Sequence, residues 1–117
     1  RTAEAIVDRG HIGGGCAGER TLSFADIQLD QILPGRRVEI VAPSFTAVPW
    51  LLEGTGRLAP MHARLFRVMQ ARFPIASAPM PFPFPIMREM MQHHHARNDD
   101  DGLSWLRAEI RRVAAAS

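Results

Sequence analysis

At 117 residues, 46% of them apolar, with a formal charge of +2, the chain has material for one modest core, and a domain this small buries only about two-thirds of its unfolded surface. All 14 basic residues are arginine and none is lysine; they are dispersed rather than massed, which argues against a nucleic-acid-binding surface. The lone Cys16 excludes an internal disulfide framework and suits a reducing compartment, and no run approaches the roughly 18 apolar residues of a membrane span.

In chain order, residues 2–8 read as a short helix already under way at Arg1, as in a piece of a longer protein. Residues 11–15 read as a strand ending in Gly13, Gly14 and Gly15, whose lack of side chains permits a close approach. Ser23 and Asp26 have the spacing of a capping box, and the helix they open carries Phe24, Ile27 and Ile32 before Pro34-Gly35 stops it. In residues 37–42, Val38, Ile40 and Ala42 alternate with Arg37, Glu39 and Val41, which predicts a strand with one buried face. Ser44 stands as the N-cap of a helix over 45–52, closed by Gly54-Thr55-Gly56. A short strand at 57–60 precedes a helix at 61–73, with Leu65, Phe66, Met69 and Phe73 inward and Arg64, Arg67 and Arg72 outward. Pro74 ends it, and 75–78 reads as a fourth strand.

The run Pro79-Met80-Pro81-Phe82-Pro83-Phe84-Pro85 lacks donors and favours an extended polyproline path. Beyond it, 86–92 alternates as a strand. Residues 103–114 form an amphipathic helix with Leu103, Leu106, Ile110 and Val113 on one side, led by Asp99, Asp100 and Asp101 where negative charge suits a helix start. Strands alternating with helices over short connections predict an α/β fold with a doubly wound, mostly parallel sheet, whose ligand crevice lies beyond the carboxyl ends of its strands.

Several of these residues together resemble one family. The strand Arg36-Arg37-Val38-Glu39-Ile40 followed by Pro43-Ser44-Phe45-Thr46, then Gly54-Thr55-Gly56-Arg57-Leu58-Ala59 with His62-Ala63-Arg64-Leu65, then Trp105-Leu106-Arg107 behind an acidic run, are similar to the C-terminal part of LysR-type transcriptional regulators. The subgroup they resemble is the one that senses aromatic and flavonoid-like inducers, the nodulation and naphthalene- or nitrotoluene-pathway activators. Two positions depart from the family pattern: Gln92 stands where a tryptophan usually precedes the histidine of the return strand, and Asp100-Asp101 replaces an aspartate-proline pair.

The resemblance implies a periplasmic-binding-protein-like second subdomain over 1–79, a proline-rich crossover at 80–85, and at 86–117 the return strand and C-terminal helix of the first subdomain. It also implies a small aromatic or organic-acid effector in the cleft between subdomains, a homo-oligomer (dimer or tetramer), and DNA contact only through an N-terminal helix-turn-helix outside this sequence. The expected protein is cytoplasmic, makes no membrane contact, needs no cofactor and is not an enzyme.

Ser44 and Thr46, at a strand-to-helix turn, offer hydroxyls and free N–H groups to a carboxylate or phenolate, with plain helix capping as the alternative; Phe45 lies between them. The resemblance places this turn at the effector site. It also gives His11 a position facing the effector, against a purely structural histidine, and Gly13 adds space at that wall. Arg88 is a candidate partner for an anionic effector, or else snorkels to solvent.

His93 and His95 share a face if extended, and with Asp99 to Asp101 they have metal-ligand chemistry; the triplet reads better as a polar strand end, and no metal is expected. Cys16 lacks an evident histidine-acid pair. Neither glycine cluster carries the Gly-Lys-Ser/Thr ending or a dinucleotide fingerprint. The competing reading is a free-standing α/β small-molecule-binding protein or enzyme.

Overall fold

The computed structural model describes residues 3–14 and 23–117. Five helices and two strands follow in order: α1 Ala3–Val7, β1 Gly10–Gly14, α2 Phe24–Ile32, β2 Arg37–Ala42, a 3-10 turn Phe45–Ala47 leading into α3 Val48–Leu52, α4 Ala63–Met69, a second 3-10 turn His95–Arg97, and α5 Asp101–Ala115. They divide into two compact units, Arg1–Ile86 and Met87–Ser117. Residues 1–2 and 15–22, with Gly15 and Cys16 among them, lie outside the described residues.

In the first unit β1 and β2 pair in parallel, joined by the α2 crossover. Residues 10 and 11 face 37 and 38, but 12, 13 and 14 face 40, 41 and 42, so Glu39 is an extra residue in β2. Such a bulge changes which face the following side chains occupy. The strand pattern alone puts Val38 with Ile40 and Ala42 on one buried face; the bulge separates them. Val38 lies on the side of His11 and Gly13, where its Cγ1 is 3.4 Å from the position a Gly13 Cβ would take. Ile40 and Ala42 lie on the other side, in the core with Ile12 and Val48. Val38 is consequently only partly covered.

That core is small. Ile12, Ala42 and Val48 are its buried centre, flanked by Ile40, Ala47, Leu51, Leu52, Ala59 and Met61. Val48 and Pro49 open α3, where a proline costs nothing because the first-turn N–H groups are unpaired in any case. Gly54 follows with φ 69° and reverses the chain, a conformation glycine adopts without penalty.

The remaining expected strands take other forms. The one at 57–60 reduces to a single parallel bridge of Leu58 with His11, in which Leu58 N–H donates to Gly10 O at 3.0 Å and Ile12 N–H to Leu58 O at 2.9 Å. Pro60 lacks the N–H to extend the ladder. Residues 75–78, between Pro74 and Pro79, and 86–92, after Pro85, are outside regular secondary structure; proline at their boundaries removes donors. The helix expected at 61–73 is shortened to α4, after which the Arg72 and Phe73 N–H groups both donate to Met69 O at 2.9 Å and tighten the end. The helix expected at 45–52 begins instead as a 3-10 turn.

The second unit is organised by α5. Asp100 caps it, its Oδ1 accepting from Leu103 N–H at 2.9 Å. That bond and the Arg97 guanidinium hold the Asp100 carboxyl below its ordinary pKa. None of residues 87–117 is buried, and Leu106, Ile110 and Val113 along α5 are exposed. His93 Nε2 lies 2.7 Å from Asn98 Oδ1, His94 Nδ1 accepts from Ala96 N–H, and the His94 and His95 rings stack. The triplet is thus engaged in local turn contacts. Among the described residues no group of three or more His, Cys, Asp or Glu side chains is placed to hold a metal ion, and no helix is long and apolar enough to cross a membrane.

Candidate functional site

The carboxyl end of β1 is fixed by a buried ionic cluster. Ser23 caps α2, its Oγ accepting from Asp26 N–H at 3.2 Å and donating back to Asp26 Oδ2 at 2.6 Å. The same Oδ2 accepts from Gly14 N–H at 2.7 Å. Asp26 Oδ1 receives Arg36 Nη1–H at 2.9 Å, and Arg36 bonds Asp30 Oδ1 through Nε and Nη2. Asp26 is fully buried and the Arg36 side chain 1% exposed. A charge so far from water is tolerated only when paired and hydrogen-bonded; here one carboxylate ties a helix start, a strand end and the entry to β2.

At that strand end stand four of the sequence-derived candidates. Gly14 is opposite Ala42, and the chain turns immediately afterwards through Ser44, Phe45 and Thr46. A Cβ on Gly14 would lie 2.9 Å from Phe45 Cε1, so glycine is what lets the ring sit against the strand. Ser44 occupies the N-cap position of the 3-10 turn, yet its side chain makes no capping bond. Its Oγ is 3.1 Å from Thr46 Oγ1, and both residues are exposed. The capping alternative for Ser44 is therefore not what its hydroxyl does. Gly13, opposite Val41, has room on its other face filled by Asp26 and Val38; its missing side chain serves packing against the ionic cluster.

His11 is placed differently. It is 2% exposed, and its Nε2–H donates to Ile6 O at 2.8 Å. A carbonyl only accepts, so Nε2 carries the proton of this bond. Burial pushes its pKa below the ordinary value and the nearby Arg36 adds to that, while the Ile6 carbonyl works against it. His11 thus has the partner of a structural histidine, although it also lines a cavity of about 790 Å³ beside α1 and α4. Arg88 is exposed in the second unit, in a segment without regular structure.

Two contributors are not evident from spacing. His62 packs edge-on to Phe45, ring centroids 5.5 Å apart, and Arg36 closes the cluster behind Gly14. His62 precedes α4 by one residue and carries no periodic signal. Arg36 is one of two adjacent arginines, and nothing local distinguishes the buried one from Arg37, which is solvent-exposed.

No family model matches the chain, and no solved structure matches it. Curated proteins do. Over 106 residues, 91% of the chain, it is 30% identical to nodulation protein D 2 of Bradyrhizobium diazoefficiens and 31% identical to nodulation protein D 1 of Rhizobium leguminosarum bv. phaseoli. Over 104 residues it is 32% identical to nodulation protein D 1 of Rhizobium meliloti. The chain spans about a third of the length of these relatives, 32% to 34%. On that relationship, which takes in nine-tenths of its residues, the chain belongs to the LysR-type regulators of the nodulation D group.

Proposed function

We propose that this chain is the ligand-sensing part of a LysR-type transcriptional regulator, and that it takes a small aromatic or organic-acid effector at the carboxyl ends of β1 and β2. The observation that carries the reading is the Ser44–Thr46 hydroxyl pair, exposed and mutually bonded, beside the half-buried Phe45 ring that Gly14 admits. A flat acid stacked near Phe45 would find one free hydroxyl donor there, the other being held within the pair. Open parallel sheets bind ligands at this end of their strands.

In this reading residues 1–79 belong to the second effector-binding subdomain of a doubly wound fold, 80–85 to the crossover and 86–117 to the first subdomain. DNA is reached through a helix-turn-helix outside the sequence, and the protein works in the cytoplasm as a homo-oligomer without catalysing a reaction. An effector acts by preferring one of two arrangements; affinity shared equally between them shifts nothing. Arg88 and His11 contribute less than the turn, since one is exposed in the other unit and the other is engaged with Ile6.

The test is thermal shift of the full-length regulator against aromatic acids, phenols and flavonoids, with Ser44→Ala and Thr46→Val. A compound that raises the melting temperature of the parent and not of the two variants supports the reading. A shift that survives both substitutions removes the turn from the effector site.

A further inference from the structure

The first unit contains a cavity apart from the Ser44 turn. The cavity of about 790 Å³ is lined by none of Gly13, Ser44, Phe45 or Thr46. Its wall follows the chain from Arg57 through Leu58, Ala59 and Pro60 to Met61, continues to Phe66 in α4, and is faced by residues 75–82. Its surface is mainly apolar.

The charged side chains of its lining are cationic, one of them paired with a carboxylate just outside it. The lining includes Arg9 and Arg57 and contains no aspartate or glutamate. Arg9 Nη1 donates to Gly56 O at 3.2 Å, which ties this guanidinium to the backbone just before Arg57. Arg57 donates through Nε to Glu39 Oε2 at 2.7 Å, which orients its planar head and leaves its Nη groups to a second acceptor. Both cations thus stand in the lining, together with the apolar Met61 and Phe66. Ligand pockets in proteins run to about 300–1,000 Å³ and pair an apolar body with a few placed polar groups, and guanidinium forks match carboxylates.

We infer that this cavity binds an elongated organic acid of the acyl-carboxylate class, with its carboxylate between Arg9 and Arg57 and its tail along Leu58–Met61 toward Phe66. The site is separate from the effector turn and does not depend on it.

Isothermal titration of the full-length protein with octanoate tests this, with octan-1-ol and 1-naphthoate as controls. Octanoate binds the parent, octan-1-ol binds more weakly, and Arg9→Gln with Arg57→Gln lowers octanoate affinity by about tenfold or more, the weight of one charged hydrogen bond. Ala78→Trp, which sets a bulky ring at a lining position, abolishes binding, and Ser44→Ala leaves it unchanged. The proposal is overturned by absence of octanoate binding to the parent in the millimolar range, by equal affinity in the double arginine variant, or by tighter binding of 1-naphthoate than of octanoate. Loss of octanoate binding in Ser44→Ala would also overturn it, whereas the effector reading fails or stands by its own thermal shifts.

Discussion

Replacing Asp26 with asparagine tests the ionic cluster most directly. The carboxylate accepts three hydrogen bonds, from Gly14 N–H, Ser23 Oγ–H and Arg36 Nη1–H. Asparagine offers one oxygen and one NH2, so at least one of those donors must face another donor whichever way the amide turns. The change also leaves Arg36, whose side chain is 1% exposed, with Asp30 as its remaining acid in the cluster. Breaking one side of a buried pair costs about 3–5 kcal/mol, a large share of the roughly 5–15 kcal/mol that holds a domain together. With a urea dependence of about 2 kcal/mol per molar, the midpoint falls by roughly 2 M. Equilibrium urea unfolding followed by far-ultraviolet circular dichroism measures it, with an unchanged slope as the control. A double-mutant cycle with Arg36→Met adds the pairwise term: the double variant is less destabilised than the sum of the singles by about 1–3 kcal/mol. A midpoint for Asp26→Asn equal to that of the parent, or strict additivity in the cycle, would refute the account of the cluster.

Three further outcomes follow from the same geometry. Because His11 has a depressed pKa in the folded chain, the unfolded state binds more protons as the pH falls, so stability is full above the ordinary value of 6.5, declines below it toward the folded-state pKa, and then levels. Unfolding midpoints collected from pH 8 to pH 5 show this slope, and His11→Gln reduces it. Gly14→Ala sets a methyl against Phe45 and costs about 1–3 kcal/mol through overpacking; Phe45→Leu in the same chain recovers part of the loss in thermal melts. Ser44→Ala, which removes no capping bond, changes stability by less than about 0.5 kcal/mol, and a calorimetric loss of more than 1 kcal/mol would show that the hydroxyl supports the fold.

The parts legible in the sequence are those governed by neighbours in the chain. β2 falls at 37–42 as its alternation requires, Ser23 and Asp26 form the capping pair that their spacing announces, and Asp100 caps α5. What was not legible depends on partners distant in sequence or on backbone groups that proline removes. Pro60 ends one segment read as a strand, and Pro74, Pro79 and Pro85 border the other two, and such a reading counts side chains rather than donors. The role of Asp26 is half visible: its spacing shows the cap, while its bonds to Gly14 and Arg36 come from twelve and ten residues away. For the candidate site, the turn at Ser44–Thr46 could be placed from the strand-to-helix change, but the hydroxyl contact within it and the His62 edge against Phe45 arise only in three dimensions.

The bulge at Glu39 also bears on how this segment tolerates changes in length. With one residue more in β2 than in the facing part of β1, the strand serves two surfaces in sequence, His11 and Gly13 before the bulge and the Ile12–Val48 core after it. Removing that single residue would restore a regular ladder and keep every apolar side chain, yet Val38 and Ile40 could no longer stay on opposite faces. A gap placed at position 39 in an alignment of relatives would therefore mark a change of core membership, not a neutral adjustment of a surface strand.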